Sequence, residues 1–186
     1  LNLEEKSAEI IAGDSQLSNQ GLVVFTKDRN YYLENEIYWV EDEELTELRE
    51  LDEGFKSAAA DGWLGSLYLL DTAQDQIWKF PAITGGIGAE RPWFNSTSGL
   101  DFLKLTDLGI DTNIWLLSET GQIYKYLSGN REDFSLELPS GVGRAKHLAV
   151  AQEAERLAFW DETNKIIWLF SKTGAFVARQ PVELSE

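Results

Sequence analysis

The residues with chemistry to offer are mostly carboxylates, and several sit in two short turns. The first, DTAQDQ, holds Asp71 and Asp75; the second, DETNK, holds Asp161, Glu162 and Asn164. Oxygens of this kind are what calcium takes, but it needs roughly six to eight at close range and one turn offers only roughly two or three. The simpler role is local: an Asp at the head of a turn accepts backbone N–H groups from that turn. Asp61 and Asp111 carry the same reading. Asp71, Asp75 and Asp161 are therefore weak metal candidates, and neither calcium nor another cofactor is expected.

Nucleophilic catalysis needs a His held by a carboxylate. The single His, His147 in RAKHLAV, opens a short strand and reads as an edge or core residue. No Gly-x-Ser-x-Gly elbow is present. GGIG at 85–88 is a Gly-rich turn without the following Gly-Lys-Ser/Thr of a phosphate loop. No catalytic residue is assigned, and a non-enzymatic role is favoured.

Two other features could contact a partner. The run EDEELTELRELDE, from Glu41 to Glu53, is dense in acids and reads as a solvated outer strand and loop. Its first three residues, Glu41, Asp42 and Glu43, are the candidate docking point for a basic partner. The seven Trp residues invite a glycan reading, because sugar faces stack on aromatic rings. Trp78, Trp115, Trp160 and Trp168 recur at strand positions and read as packing. Trp63 and Trp93 lie in irregular segments and are the candidates for ligand contact. Asn95-Ser96-Thr97 fits a glycosylation sequon.

These groups have to be positioned by something that repeats. Asp71 is followed by Ile77, Trp78 and Phe80; Asp161 is followed at the same spacing by Ile167, Trp168 and Phe170. Asp107–Tyr126 is a third copy, with Ser118 in place of the Asp and a turn one residue shorter. Leu22–Val40 is a fourth, with a turn compressed around Asn35. Aligned positions Leu33, Leu69, Leu116 and Phe159 are 36, 47 and 43 residues apart. That spacing is close to the period of a β-propeller blade, about 40–50 residues.

Each copy predicts strands separated by polar turns: a first at Val23–Phe25, Ala58–Ala60, Leu108–Ile110 and Leu148–Val150, and a second at Tyr31–Leu33, Leu67–Leu70, Ile114–Leu117 and Leu157–Trp160. A third follows at Ile37–Val40, Ile77–Phe80, Ile123–Leu127 and Ile166–Phe170. A polar fourth is predicted at Glu44–Leu51, Phe134–Leu138 and Phe176–Gln180; the second copy has instead the stretch TGGIGAERPWF. The two inner strands read as apolar on both faces and the outer ones as polar. Stacked blades require that gradient, whereas a two-sheet sandwich alternates along every strand. The fold class is thus all-β, a β-propeller of about four tandem four-stranded antiparallel blades, partial or small. The blades fall near 21–54, 55–97, 98–140 and 141–182 within 21–186. Residues 1–20 read as an N-terminal linker or an incomplete blade.

The segment AAADGWLGSLYLLDTAQDQIWKF resembles NHL-type propeller repeats, through Asp61, Gly62, Leu67, Tyr68, Asp71, Ile77 and Phe80. The third copy keeps Asp111, Ile114 and Trp115; the fourth keeps Asp161 and lacks the first Asp. LYLLD…QIWKFP, the GG…PWF stretch and GQIYKYLSGNREDFSLEL are similar to uncharacterised propeller regions of bacterial membrane-anchored proteins. That likeness implies an extracytoplasmic part of a longer protein. NHL-like propellers include metal-dependent lactonases and hydrolases with ligands in the central channel, so that activity is the second functional expectation; a purely structural domain is the third.

The 32 acidic and 16 basic side chains give a net charge of −16, which repels phosphate backbones and anionic membranes. Nucleic acid is not expected as a partner, nor is direct membrane insertion, since no apolar run approaches about 18 residues. A protein, a small ligand or a glycan is. The chain has no Cys to staple a small ring, and it opens on Leu1 with no Met anywhere. A fragment of a larger ring of roughly five to seven blades, or an open arc, is the expectation. An arc would leave blade faces uncovered, so self-association through them is expected.

Overall fold

The structure is a computed structural model and describes residues 21–25, 30–41, 44–51, 55, 57–94 and 99–182. The expected segment 1–20 and the candidates Asp42 and Glu43 lie outside the described residues, as does the sequon.

Four four-stranded antiparallel sheets and one two-stranded ribbon carry the fold. Sheet I is β1 (Leu22–Phe25), β2 (Asn30–Leu33), β3 (Glu36–Glu41) and β4 (Glu44–Glu50), paired in that order. Sheet II contains β5 (Ser57–Trp63), β6 (Ser66–Asp71) and β7 (Gln76–Phe80); the ribbon of β8 (Ala82–Ile83) and β9 (Gly86–Ile87) intervenes before β10 (Arg91–Pro92) adds to β7 as the fourth strand. Sheet III, after a 3-10 turn at Phe102–Lys104, is β11 (Leu105–Ile110), β12 (Ile114–Ser118), β13 (Ile123–Leu127) and β14 (Asn130–Arg131). Sheet IV is β15 (Ala145–Val150), β16 (Arg156–Asp161), β17 (Ile166–Ser171) and β18 (Phe176–Pro181). Among the described residues no helix is long and apolar enough to cross a membrane.

The sheets pack face to face in chain order through their first strands: β1 on β5, β5 on β11 and β11 on β15. Each face turned toward the following sheet carries the same registered pair: Leu33 with Ile37, Leu70 with Ile77, Leu117 with Ile123 and Trp160 with Ile167. In sheets I to III these residues are 0–2% exposed, each set inside one of three apolar clusters between neighbouring sheets. At about 25 cal/mol per Å² of apolar surface removed from water, such clusters supply the main cohesion between sheets. The first strands of sheets II, III and IV also share a bulge at the same place, between Ser57 and Ala59, Leu105 and Asp107, and Ala145 and His147.

The registers correct the alignment of the first copy. Leu33 corresponds to Leu70, Leu117 and Trp160, one residue beyond the positions expected from sequence. The cause is the turn: β2 and β3 are joined by two residues, whereas four residues separate β6 from β7. The corner of sheets II and IV does repeat. Asp71 Oδ1 accepts from Ala73 N–H and Gln74 N–H, Asp161 Oδ1 accepts from Asn164 N–H, and the last turn residues, Asp75 and Lys165, both have positive φ.

Two expectations about strands fail. Phe134–Leu138 is not a strand; Asn130–Arg131 occupies the fourth place in sheet III. The segment instead crosses toward sheet IV, where Glu137 N–H donates to Gly174 O at 2.9 Å and Phe134 and Leu136 pack on the cluster between sheets III and IV. The burial gradient also starts one strand further out than expected. β6 and β12 are buried at every residue, while the first strands β5 and β15 are mixed, because their outer backbone edge has no neighbouring strand.

Candidate functional site

The two Trp residues expected in irregular segments line one cleft, although Trp63 is in fact a strand residue, because the hairpin turn is only two residues long. Trp63 closes β5, where the two-residue turn Leu64–Gly65, with φ of 49° and 72°, reverses the chain into β6. Positive φ at both central residues suits the twist of a tight hairpin. It also turns Leu64 into solvent, 78% exposed. Trp93 follows β10. Its N–H donates to Ile77 O at 2.8 Å, and its ring stands edge-on to Phe94, with centroids 4.9 Å apart, and to Tyr126, at 6.3 Å.

Trp63 and Trp93 line one cleft of about 280 Å³ between sheets II and III. Tyr68, Ile110 and Ile114, all buried, back it, and Thr112 and Ser128 add hydroxyls to its lining. Lys79 stands over the Tyr68 ring at 5.2 Å, a cation–π contact that holds the ammonium against one wall.

Asp111 supplies the opposite charge. Its Oδ1 accepts from Asn113 N–H and the Trp115 indole, and its Oδ2 accepts from Lys172 Nζ at 2.8 Å, with both side chains of that ion pair about nine-tenths buried. Burial alone would raise the Asp111 pKa; Lys172, Asn113 N–H and the Trp115 indole outweigh it and hold the carboxyl below its ordinary range. The cleft is therefore lined by a carboxylate already paired with Lys172, by the Lys79 ammonium over Tyr68, and by Trp63 and Trp93.

Other carboxylates are used structurally. Asp61 Oδ1 accepts from Gly62 N–H and its Oδ2 from Ile110 N–H of the next sheet. Asp107 repeats the clasp, with Leu108 N–H in its own strand and Leu148 N–H in sheet IV. Each thus satisfies backbone donors on first strands that have no neighbour on that edge. Burial, with a smaller contribution from Asp107, pushes Asp61 up to about 6 against the pull of its two N–H donors.

The metal candidates do not come together. Asp71 and Asp75 share a turn of sheet II, while Asp161 lies in sheet IV, where Oδ2 accepts from Gly143 N–H, Asn164 Nδ2 and the Trp168 indole. Among the described residues no group of three or more His, Cys, Asp and Glu side chains is placed to hold a metal ion. His147 is an edge residue, its side chain 66% exposed and Nδ1 3.8 Å from Asp107 Oδ2. Of the packing Trp residues, Trp115 and Trp168 are buried as expected, but Trp160 stands half-buried on a face that no described strand covers. Glu41 ends β3, away from the Trp63 cleft.

The cleft's polar wall escaped sequence reasoning. Thr112 and Ser128 carry no repeat signal, and Lys172 reaches Asp111 across 61 positions of sequence. Trp63 and Trp93 stood out because they read as lying in irregular segments rather than at the strand positions of Trp78, Trp115, Trp160 and Trp168.

No family model and no curated protein matches the chain. Solved structures do. A crystal structure of a nidogen–laminin complex, which contains a β-propeller, aligns with a TM-score of 0.63 and 13% identity, covering 86% of this chain and 62% of that one. A protein of unknown function from Bacteroides caccae aligns at 0.60 and 10%, covering 89% and 62%. The computationally designed Ika8 protein aligns at 0.50 and 12%, covering 85% and 48%. The chain spans less than two thirds of the length of each. At such identities the likeness concerns fold, and with the stacked four-stranded sheets it gives a propeller-like fold.

Proposed function

We propose that this chain is a non-enzymatic binding module, built of NHL-type propeller blades, that holds a small neutral saccharide in the cleft between sheets II and III. The observation that carries the reading is the meeting of Trp63 and Trp93 in that cleft. A sugar ring has C–H faces that pack on the negative face of an indole, and hydroxyls that need donors and acceptors around the edge. Thr112, Ser128 and Lys79 are in place for the second task. A volume of about 280 Å³ suits one or two sugar rings.

Binding is favoured over chemistry by the state of the carboxylates. Asp61, Asp107 and Asp161 are occupied by backbone and side-chain donors, so a hydrolase centred on them would have to give up those bonds first. The part such a module plays in a longer protein, with blades beyond these four, belongs to the same proposal.

The test is a titration with a panel of neutral mono- and oligosaccharides, followed by Trp fluorescence and calorimetry. One or more sugars should shift the emission. Trp63→Ala and Trp93→Ala should each weaken that sugar several-fold to about tenfold, the scale of a single aromatic contact. Trp160→Ala, outside the cleft, should bind as the unaltered chain does. Equal binding by all three variants would place the ligand elsewhere, and no response to any sugar would reject the saccharide.

A further inference from the structure

Trp78 and Trp168 hold the same place in the repeat. Each follows its turn Asp, Asp71 or Asp161, at the same spacing, and each packs on the cluster shared with the preceding sheet. In sheet IV the Trp168 indole is 2% exposed and donates to Asp161 Oδ2 at 3.1 Å. In sheet II the indole bond is not made. Trp78 Nε1 is shielded from solvent and has no hydrogen-bond partner among the described residues. A buried donor left unmet is costly, and such groups in folded chains commonly mark a place where an acceptor comes in.

The indole lines a cleft of about 100 Å³ between sheets I and II, about a third of the volume of the cleft between sheets II and III. That is room for one side-chain-sized group. Phe55 stands beside Trp78, with ring centroids 5.9 Å apart and planes at 45°, and the buried Phe80 backs the cleft. The rest of the lining is polar. Arg49 of β4 pairs with Glu90, just before β10, at 2.6 Å, each side chain about one-third exposed. Glu50 adds a second carboxylate, and Gln74 comes from the β6–β7 turn, its N–H held by Asp71 Oδ1 at 3.2 Å.

This set of groups selects among small ligands. A carboxylate could accept from Trp78 but would face Glu50 and Glu90. An ammonium would suit those carboxylates and leave the indole N–H unmet. A carboxamide answers both: its oxygen accepts from the indole, its NH₂ donates to a carboxylate, and its flat neutral body lies against the rings without burying a charge. We infer that the cleft between sheets I and II is a second binding site, for a small ligand carrying a primary carboxamide. It shares no lining residue with the Trp63 cleft, so it stands whether or not a saccharide binds there.

The probes are propionamide, propionate and propylammonium, matched in size and differing in charge. In the ¹⁵N-labelled chain the Trp78 indole resonance is identified by its loss in Trp78→Phe. Millimolar propionamide should move it saturably, and the two ions several-fold less. Trp78→Phe keeps a ring without the donor, and saturation transfer from the chain to propionamide should fall several-fold. Trp63→Ala should leave the propionamide response unchanged. Glu90→Gln removes a carboxylate and releases Arg49, so propionate should bind it several-fold more tightly than the unaltered chain, an effect that loss of packing would not produce. That variant also decides the matter should Trp78→Phe not fold. No movement with propionamide would mean that water alone meets the indole and would overturn the inference. So would equal responses to all three probes, a stronger response to propylammonium, or propionate binding unchanged by Glu90→Gln.

Discussion

Lys172→Met should lower the unfolding free energy by about 3–5 kcal/mol, the cost of removing one partner from a buried ion pair. Lys172 Nζ lies 2.8 Å from Asp111 Oδ2 and also donates to Ala151 O. Its loss leaves the Asp111 carboxylate out of water with only Asn113 and Trp115 as donors. A domain of this size commonly has about 5–15 kcal/mol in all, so the variant should be marginal at room temperature. The pair ties the β11–β12 turn of sheet III to the residue after β17 of sheet IV, so the loss should appear as a weakened junction between those sheets. Urea unfolding followed by Trp fluorescence reads it directly. Adding Asp111→Asn should cost less than the two single losses summed, because the orphaned charge is gone. A loss below about 1 kcal/mol, the value of an exposed pair, would mean that water reaches the site and that the sheets are further apart there.

Asp161→Ala should be comparably damaging for a different reason. Its carboxylate, fully buried, collects Asn164 N–H and Nδ2, Gly143 N–H and the Trp168 indole. Each donor left buried without an acceptor costs about 1–3 kcal/mol, and alanine offers none. With Asn164 and Gly143 able to reach water, a total of roughly 3–5 kcal/mol is expected. The effect should also depend on pH. Burial would raise the Asp161 pKa, but Asn164, Gly143 and Trp168 together hold it below its ordinary value. A carboxyl depressed in the folded state stabilises above its unfolded pKa, and that contribution disappears as pH falls through the folded value. The gap in stability between the unaltered chain and Asp161→Ala should therefore be full near neutrality and shrink as pH falls below the ordinary carboxylate range. A gap constant with pH would show that Asp161 is not held ionised by those donors.

What could be read in advance was local. The Ile at the second place of the third strand and the Asp that heads the turn before it act within a few residues of themselves, so Ile77 and Ile167, and Asp71 and Asp161, announce the repeat. Trp63 and Trp93 were noticeable for the opposite reason, reading as irregular segments outside the repeated strand positions. What could not be read depends on contacts made across sheets. Phe134–Leu138 alternates as a strand should, yet Gly174 of sheet IV takes its backbone bond. Asp107 is an ordinary Asp in sequence, and its partner Leu148 N–H arrives 41 positions later. The slip at Leu33 came from a turn length, which sequence identity at the turn does not constrain. The meeting of Trp63 and Trp93 with Asp111 and Ser128 needs the stacking of sheets II and III, and no spacing within one copy contains it.

The stacking of consecutive sheets through their first strands underlies every functional statement above, and a cross-link tests it most directly. Gly109 of β11 approaches β15 so closely that a Cβ built on it lies 3.2 Å from Val150 Cβ. Paired half-cystines have Cβ atoms about 3.5–4.5 Å apart, so a small adjustment admits a disulfide there. The chain has no Cys of its own. Gly109→Cys with Val150→Cys, oxidised in dilute solution and assayed for free thiols under denaturing conditions, should give an intramolecular bond, no titratable thiol, and one species of altered mobility on a non-reducing gel. Two free thiols persisting in the folded monomer would contradict the packing of sheet III on sheet IV, and the account of the molecule would fall with it.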